Sequence, residues 1–219
     1  MPRGIARQAP RVRSGRAGYD ARMFVPRACS HSGCGRPALS GAPSCIVHLP
    51  GAAAHVATFF GRPGERRPLV DLDLPGIRIE DADLSGAEIS GCRLTAGTFV
   101  RVSFRGAQIA LSFLDRATFE DCDVSGASLV NVVMAGSTMT DCSFADGEIA
   151  HVNFLGIHAM RTGFDHSNLY GSRFIGALLE EVSMKDCNCT RAWFDAAHRD
   201  AVDFRSSNTN EALFQEPTP

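Results

Sequence analysis

The sequence predicts a solenoid built from short repeats, with a small separate module in front of it. Three observations support this prediction: apolar residues recur at a fixed interval from Leu69 to Phe214, cysteines cluster between residues 29 and 45, and charge is divided unequally along the chain. The chain has 219 residues, of which 44% are apolar. It is therefore long enough to bury a core, although one Trp and two Tyr exclude a core built on the largest aromatic side chains.

The repeat has a period of five residues. It is clearest in residues 80–94, EDADLSGAEISGCRL, where Leu84 belongs to a series of large residues at every fifth position. Two positions before each large residue the side chain is mostly small or β-branched, as at Ala82, and the series is interrupted at Arg199 and Thr209. This period fits neither an α-helix, at about 3.6, nor a strand, at about 2. Each block of five therefore points one large and one small side chain inward and three outward.

The block Ala82-Asp83-Leu84-Ser85-Gly86 matches the approximate consensus Ala-(Asp/Asn)-Leu-x-x, so the repeat region resembles the pentapeptide-repeat family. The resemblance extends from Leu69 to Phe214 without an insertion. It implies an all-β fold, a right-handed quadrilateral β-helix with four pentapeptides per coil, which we expect over residues 69–216. About seven coils spaced by ~4.8 Å would form a rod roughly 35 Å tall.

The N-terminal module is predicted to bind a metal ion. Cys29 and Cys34 are separated by four residues, Cys45 follows after ten, and His48 comes next after two. Three thiolates and one imidazole suit a closed tetrahedral zinc site with no open position for a catalytic water. The sequence therefore predicts a structural Zn²⁺ in residues 29–51, where several Gly and Pro residues permit tight turns.

This module is similar to small treble-clef zinc motifs that occur beside nuclease domains. No His-Asn-His partner is recognisable in the chain, so the resemblance carries over no nuclease activity. Two alternatives remain open from the residues: His31 could replace His48 as a ligand, or the four residues could be clustered without a metal.

The segments around the module are predicted to be mainly irregular. Residues 52–60 favour a short helix and residues 61–68 a linker, and we expect Phe59 and Phe60 to cover the open first coil because terminal repeats need capping. Residues 1–28 are predicted to be a disordered basic arm that could contact nucleic acid. The alternative is translation starting at Met23. The arm carries Arg3, Arg7, Arg11, Arg13, Arg16, Arg22 and Arg27.

The two parts of the chain carry opposite charge. Residues 1–68 hold 11 basic and 2 acidic residues, 11 − 2 = +9, whereas residues 69–219 hold 11 basic and 22 acidic residues, 11 − 22 = −11. In a four-sided coil, residues twenty apart align, which gathers acidic residues on two adjacent faces. The alternative is an ordinary solvated acidic surface. The predicted partner-binding residues are Asp81, Asp83, Glu120, Asp121, Asp123, Asp141, Glu180 and Glu181.

A third face is predicted to be apolar on its outer surface, which usually marks a binding or self-association site. Side-chain packing within a crowded wall is the alternative. Trp193 is the residue most expected to anchor an interface, such as that of a homodimer. The six residues of this face are Phe113, Val133, Leu155, Ile175, Trp193 and Leu213.

No catalytic constellation is evident, and we expect the protein not to be an enzyme. The histidines of the repeats take outward or corner positions, and the regular rod predicts no concave site. Five cysteines take inward positions and are expected to act as small hydrophobic residues, with redox or metal chemistry between Cys122 and Cys142 as the alternative.

The resemblance to gyrase-protecting pentapeptide-repeat proteins implies a non-enzymatic DNA mimic that occupies the DNA-binding surface of a type II topoisomerase, DNA gyrase, and protects it from antibiotic inhibitors. A zinc-dependent nucleic-acid or protein adaptor that uses the rod as a scaffold is the alternative. The sequence has no run of 18 apolar residues and no secretory signal, so we expect a cytoplasmic protein without a membrane partner, although an organelle transit peptide is not excluded.

Overall fold

The computed structural model describes residues 27–60 and 68–215, and residues 68–215 form a parallel β-solenoid. One helix, α1, occupies Ala52–Phe60, where the sequence predicts a helix. No helix in these two ranges has the length and apolar character needed to cross a membrane. The predicted basic arm lies outside the described residues except for Arg27 and Ala28, as does the predicted linker except for Pro68.

Eleven short strands follow α1 in the described chain. They are β1 (Leu69–Val70), β2 (Arg78–Glu80), β3 (Glu88–Ser90), β4 (Thr98–Val100), β5 (Gln108–Ala110), β6 (Thr118–Glu120), β7 (Ser128–Val130), β8 (Thr138–Thr140), β9 (His158–Met160), β10 (Leu178–Glu180) and β11 (His198–Asp200).

Each coil has four sides because every parallel pairing joins residues twenty positions apart. Side 1 contains β1, β3, β5 and β7 and continues through bridges from Ser128 to Asn208. Side 2 is a series of bridges from Asp73 to Leu213. Side 3 contains the other seven strands, in the spatial order β2-β4-β6-β8-β9-β10-β11, and side 4 runs through bridges from Asp83 to Asp203. This arrangement confirms the predicted β-helix.

The core is a set of side-chain columns that follow the coils. Phe154, Phe174 and Phe194 are almost fully buried and stack with ring centroids 4.8 and 4.9 Å apart. This separation equals the spacing of parallel strands, about 4.8 Å, so identical residues in one column stack face to face. Arg199, where the apolar series fails, places its guanidinium 5.4 Å from the ring centroid of Phe214.

Every corner of the rod is a residue in the left-handed conformation. All 29 residues at five-residue intervals from Asp71 to Glu211 have φ between 47° and 70°, and 20 of them are not glycine. A non-glycine residue in this region costs about 1–2 kcal/mol. The hydrogen bonds between successive coils, such as Asp121 N–H to Thr140 O at 3.0 Å, hold the backbone there despite this cost.

The small inward position accepts Ser and Cys because each donates to a backbone carbonyl. Ser137 Oγ donates to Leu114 O at 2.8 Å, and Cys92 Sγ donates to Leu69 O at 3.1 Å. All eight cysteines are free, and the five in the rod are buried. The neighbouring Cys122 thiol and burial together raise the pKa of Cys142, whereas the same contact lowers the pKa of Cys122.

Residues 27–60, the cap, close the first coil of the rod. Ser40 N–H donates to Asp73 O at 2.8 Å, and Asp73 N–H donates to Ser40 Oγ at 2.6 Å. Leu39 and Val56 are buried in the same hydrophobic cluster as the rod core, and the partly buried Phe59, Phe60, Ile46 and Leu49 pack against that cluster. The cap and the rod therefore share one core.

Candidate metal centre and binding faces

The four predicted metal ligands meet at one point in the cap. Their ligand atoms all lie within 4.8 Å of one another. His48 Nδ1 is 3.5 Å from both Cys29 Sγ and Cys45 Sγ, and Cys34 Sγ is 3.8 Å from Cys45 Sγ. A tetrahedral zinc ion with Zn–S of about 2.3 Å and Zn–N of about 2.0–2.1 Å requires S···N of about 3.5 Å and S···S of about 3.8 Å. The cluster fits such an ion.

Tight turns bring the ligands together. Cys34 N–H donates to His31 O at 3.1 Å, and His48 N–H donates to Cys45 O at 3.0 Å, so each of these ligands ends a short turn. Cys29 N–H donates to Arg36 O at 3.0 Å and pairs the two ends of the first turn. Gly33 and Gly41 have φ of 77° and 70°, which favours glycine in these turns.

The surroundings favour the thiolate at Cys29, whereas burial and the neighbouring Cys45 and Cys29 thiols raise the pKa of Cys34. Cys45 N–H donates to Cys29 Sγ at 3.3 Å, and this backbone hydrogen bond is the main cause that lowers the pKa of Cys29 to about 6. His31 is not in the cluster; its ring stacks on His48 with centroids 4.0 Å apart. The alternative in which His31 replaces His48 is therefore not what the geometry shows, and His31 instead supports the ligand ring.

A groove that the sequence did not predict lies between the cap and side 2. Its cavity volume is about 780 Å³, within the range of about 300–1,000 Å³ typical of ligand sites. The cap contributes Arg36, Pro37 and Ile46, and side 2 contributes the outward side chains of Arg93 and Phe113. The rod itself is regular, so the groove arises from the docking of the cap, which the repeat pattern does not encode.

Sides 3 and 4 carry the predicted acidic residues, and most of these carboxylates are exposed. Six of the eight are exposed, whereas Asp123 and Glu180 are half-buried. The outward positions of sides 3 and 4 hold fourteen acidic and six basic side chains, which gives a net charge of −8. The seventh basic residue in these blocks, Arg199, occupies an inward position.

Ion pairs divide the acidic surface into neutralised and free carboxylates. Arg101 binds Asp81 through two hydrogen bonds of 2.6 and 2.9 Å, and Arg161 binds Asp141 through two of 2.6 and 2.7 Å. These hydrogen bonds lower the pKa of both aspartates. Asp121 lies between the two pairs, and its carboxylate has no hydrogen bond or ion pair within the described residues.

The predicted apolar residues all lie on side 2, but they are not equally exposed. Phe113, Leu155, Trp193 and Leu213 are 39%, 47%, 41% and 39% exposed. Val133 and Ile175 are half-buried, in agreement with wall packing at those two positions. The Arg173 guanidinium lies 5.8 Å from the centroid of the Trp193 ring, a cation–π contact that covers part of the indole.

Comparison with known proteins agrees with this architecture. Residues 164–198 match the family model described as Pentapeptide repeats (8 copies). No curated protein matches the chain.

Similar solved structures include three repeat proteins. QnrB1, a plasmid-mediated fluoroquinolone resistance protein, is 16% identical, with 69% of this chain and 86% of that chain covered and a TM-score of 0.38. HetL from the cyanobacterium Nostoc is 15% identical, with 76% and 95% covered and a TM-score of 0.24. A pentapeptide repeat protein from the Arabidopsis thaliana thylakoid lumen is 21% identical, with 46% and 67% covered and a TM-score of 0.25. Residues 164–198 are thus similar to pentapeptide repeats, and the same five-residue period and four-sided coil run through the rest of the described rod.

Proposed function

We propose that the protein is a non-enzymatic binding protein whose sides 3 and 4 engage the DNA-binding surface of a type II topoisomerase, with DNA gyrase as the first candidate. The observation that carries this proposal is the excess of acid on sides 3 and 4, which have a net charge of −8 and no loop insertion among the described residues. In this proposal the rod competes with DNA and could protect the enzyme from inhibitors that act on its DNA complex.

The charge density of the rod sets the strength expected for this contact. Side 3 has seven strands, so at about 4.8 Å per coil the rod is roughly 34 Å long and carries one net negative charge per ~4 Å on sides 3 and 4. Double-stranded DNA carries one charge per ~1.7 Å. The rod is therefore a weaker polyanion than DNA, and its binding should be electrostatically steered and fall steeply with salt.

The cap would hold one structural Zn²⁺ through Cys29, Cys34, Cys45 and His48. The ion would stabilise a module too small to fold on its own hydrophobic core, because binding to four preorganised ligands contributes folding free energy. Metal analysis of the purified protein should find one zinc per chain, and Cys29→Ser with Cys45→Ser should abolish it. Stoichiometric zinc that survives both substitutions would refute the ligand assignment.

The gyrase proposal is tested with two charge-reversed variants in a supercoiling assay. The first, Asp121→Lys with Asp141→Lys, reverses one unpaired and one Arg-paired carboxylate on the corner between sides 3 and 4. The matched control, Glu88→Lys with Glu211→Lys, does the same on side 1, where Glu211 pairs with Arg191 at 2.6 Å. Both variants change the net charge by the same amount, and they place that change on different sides of the rod.

The first variant should lose at least about tenfold in inhibition of supercoiling, whereas the control should retain it. Both should melt close to the parent protein because exposed ion pairs contribute little to stability. Equal inhibition by the parent and the first variant would refute DNA mimicry. If the parent has no effect on gyrase and binds nucleic acid only when residues 1–60 are present, the adaptor function takes its place.

A further inference from the structure

Side 2 is the electrically neutral side of an acidic rod. Three of its described residues are acidic and three are basic, and they are Asp73, Asp115, Asp195, Arg93, Arg116 and Arg173. The same side carries four exposed large apolar residues, including Phe113 and Trp193. Two copies of a rod that carries −11 over residues 69–219 repel each other, and this repulsion is smallest where side 2 meets side 2.

The groove makes side 2 stepped rather than flat. Arg36, Pro37 and Ile46 of the cap share the groove with outward side chains of the first three coils, so the cap projects beyond the plane of side 2 at the N-terminal end. A parallel partner would place two projecting caps at the same level. An antiparallel partner instead places the C-terminal end of its side 2 inside the step.

We propose that side 2 is a homodimer interface in which two copies pair antiparallel and the Trp193 end of each copy occupies the groove of the other. The Asp73–Leu213 column contains every twentieth residue from 73 to 213. A two-fold axis across the middle of side 2 pairs the first position of this column with the last position in the second copy, the second position with the second last, and so on. Full overlap of the eight positions in that column places the second copy's Trp193 against Arg93 and the second copy's Arg173 against Phe113. Each pair brings a guanidinium to an aromatic ring, and Arg93 keeps its two hydrogen bonds to Asp73 of its own copy.

The charges at the two ends of side 2 also complement each other. In this register Asp195 of the second copy enters the groove beside Arg36 and Arg116. Arg36 is exposed, and its side chain has no hydrogen bond or ion pair within the described residues. Arg116 Nε lies 3.3 Å from Asp115 Oδ2, a long ion pair, and the Arg116 side chain is 70% exposed.

The available area shows why the groove is needed. A face roughly 34 Å long and at most about 16 Å wide, the span of five extended residues, has a flat area of about 550 Å². A stable dimer typically buries about 800 Å² on each partner. The cap residues that line the groove add further buried area. They do so at both ends of the dimer, because two-fold symmetry repeats the groove contact. Sides 3 and 4 remain outside this interface, so dimer formation does not compete with the proposed function.

Sedimentation of the full chain tests the proposal, and the single Trp provides a second readout. The parent should sediment as a species of twice 23.5 kDa, and dilution should shift the Trp193 emission to the red as the indole becomes exposed. Phe113→Lys should weaken the dimer at least about tenfold, because a second cation replaces the aromatic ring that faces the second copy's Arg173. Val130→Lys, at a 47% exposed residue of side 1, is the matched control and should leave the dimer intact.

A charge exchange tests the antiparallel register. Arg36→Glu and Asp195→Arg should each weaken the dimer, and the two together in one chain should restore it, since the exchanged pair forms at both ends. A parent that stays monomeric up to about 100 μM, a Val130→Lys variant that dimerises as weakly as Phe113→Lys, or no rescue in the double variant would overturn the proposal. Dimers that form only after removal of residues 1–26 would assign the groove to that segment and overturn it as well.

Discussion

Removing the cap from the rod should destabilise the first coil by a few kcal/mol without preventing the rod from folding. In the fragment 62–219, Leu69, Leu74 and Ile77 lose their cover on the N-terminal side; they are 5%, 0% and 0% exposed in the intact chain. Full burial of such a side chain is worth about 1.5–3 kcal/mol. The second coil still covers the other side, so uncovering about a third of each side chain costs roughly 1.5–3 kcal/mol in total.

The fragment and the parent can be compared by chemical denaturation and by amide hydrogen exchange. The fragment should show a cooperative, β-rich transition at a lower midpoint, because its repeats bury their own core. Exchange should accelerate in the first coil, where Leu74 N–H donates to Arg93 O at 2.9 Å, and remain slow at Phe194 N–H in the last full coil. Unchanged stability and unchanged first-coil protection would refute the capping role. Aggregation of the fragment would instead show that the cap is obligatory.

Five further substitutions test the packing, the corners and the surface charge. Gly97→Ala should lower the free energy of unfolding by about 1–3 kcal/mol, because a Cβ there would lie 2.9 Å from Leu94 O and 3.0 Å from the Phe99 ring. Gly163→Ala is the control: a Cβ at that position has nothing within 4 Å, so the free energy of unfolding should change by less than about 0.5 kcal/mol. Ala196→Gly replaces a corner residue with φ of 53° and should stabilise the protein by about 0.5–1 kcal/mol. Ala135→Gly lies outside the left-handed region and should destabilise the protein by a similar amount. A change of the same sign in both variants would contradict the account of the corners. Arg205 lowers the pKa of Asp203 from 3.8 to about 2, so the stability that this pair contributes to the fold is present above pH 4 and is lost as pH falls towards 2. In an acid titration, Asp203→Asn should therefore lose less stability than the parent over this interval. An unchanged acid transition would refute the link between this ion pair and stability.

The five-residue period predicted the rod because one physical requirement repeats in every block. Each large inward residue must stack on the residue twenty positions away, so Phe174 over Phe194 reflects a pattern that is visible in the sequence. The corners were not visible in the same way. Arg101 and Leu111 adopt φ of 52° and 49° although neither residue favours that region, since hydrogen bonds between coils rather than local preference hold the backbone there.

The metal cluster was predictable for a different reason. Ligand spacing along the chain limits which residues can reach one ion, and the structure brings Cys29, Cys34, Cys45 and His48 together with separations suited to a tetrahedron. The groove was not predictable, because it depends on how the cap meets the rod. Ser40 forms two hydrogen bonds with Asp73, a residue 33 positions later, and no local pattern marks either residue for that contact.

The surface of the rod shows how one repeat can support two separate interactions. The inward positions are constrained in every block, but three outward positions per block are free to vary, and residues twenty apart then form a column of one character. Sides 3 and 4 use this freedom for carboxylates such as Asp121, whereas side 2 uses it for Phe113 and Trp193 with balanced charge. Because sides 2 and 4 lie opposite each other on the coil, a contact on side 2 leaves the acid of side 4 accessible. Salt should therefore weaken partner binding through the acidic sides while weakening side 2 contacts much less, since burial of apolar area is insensitive to screening.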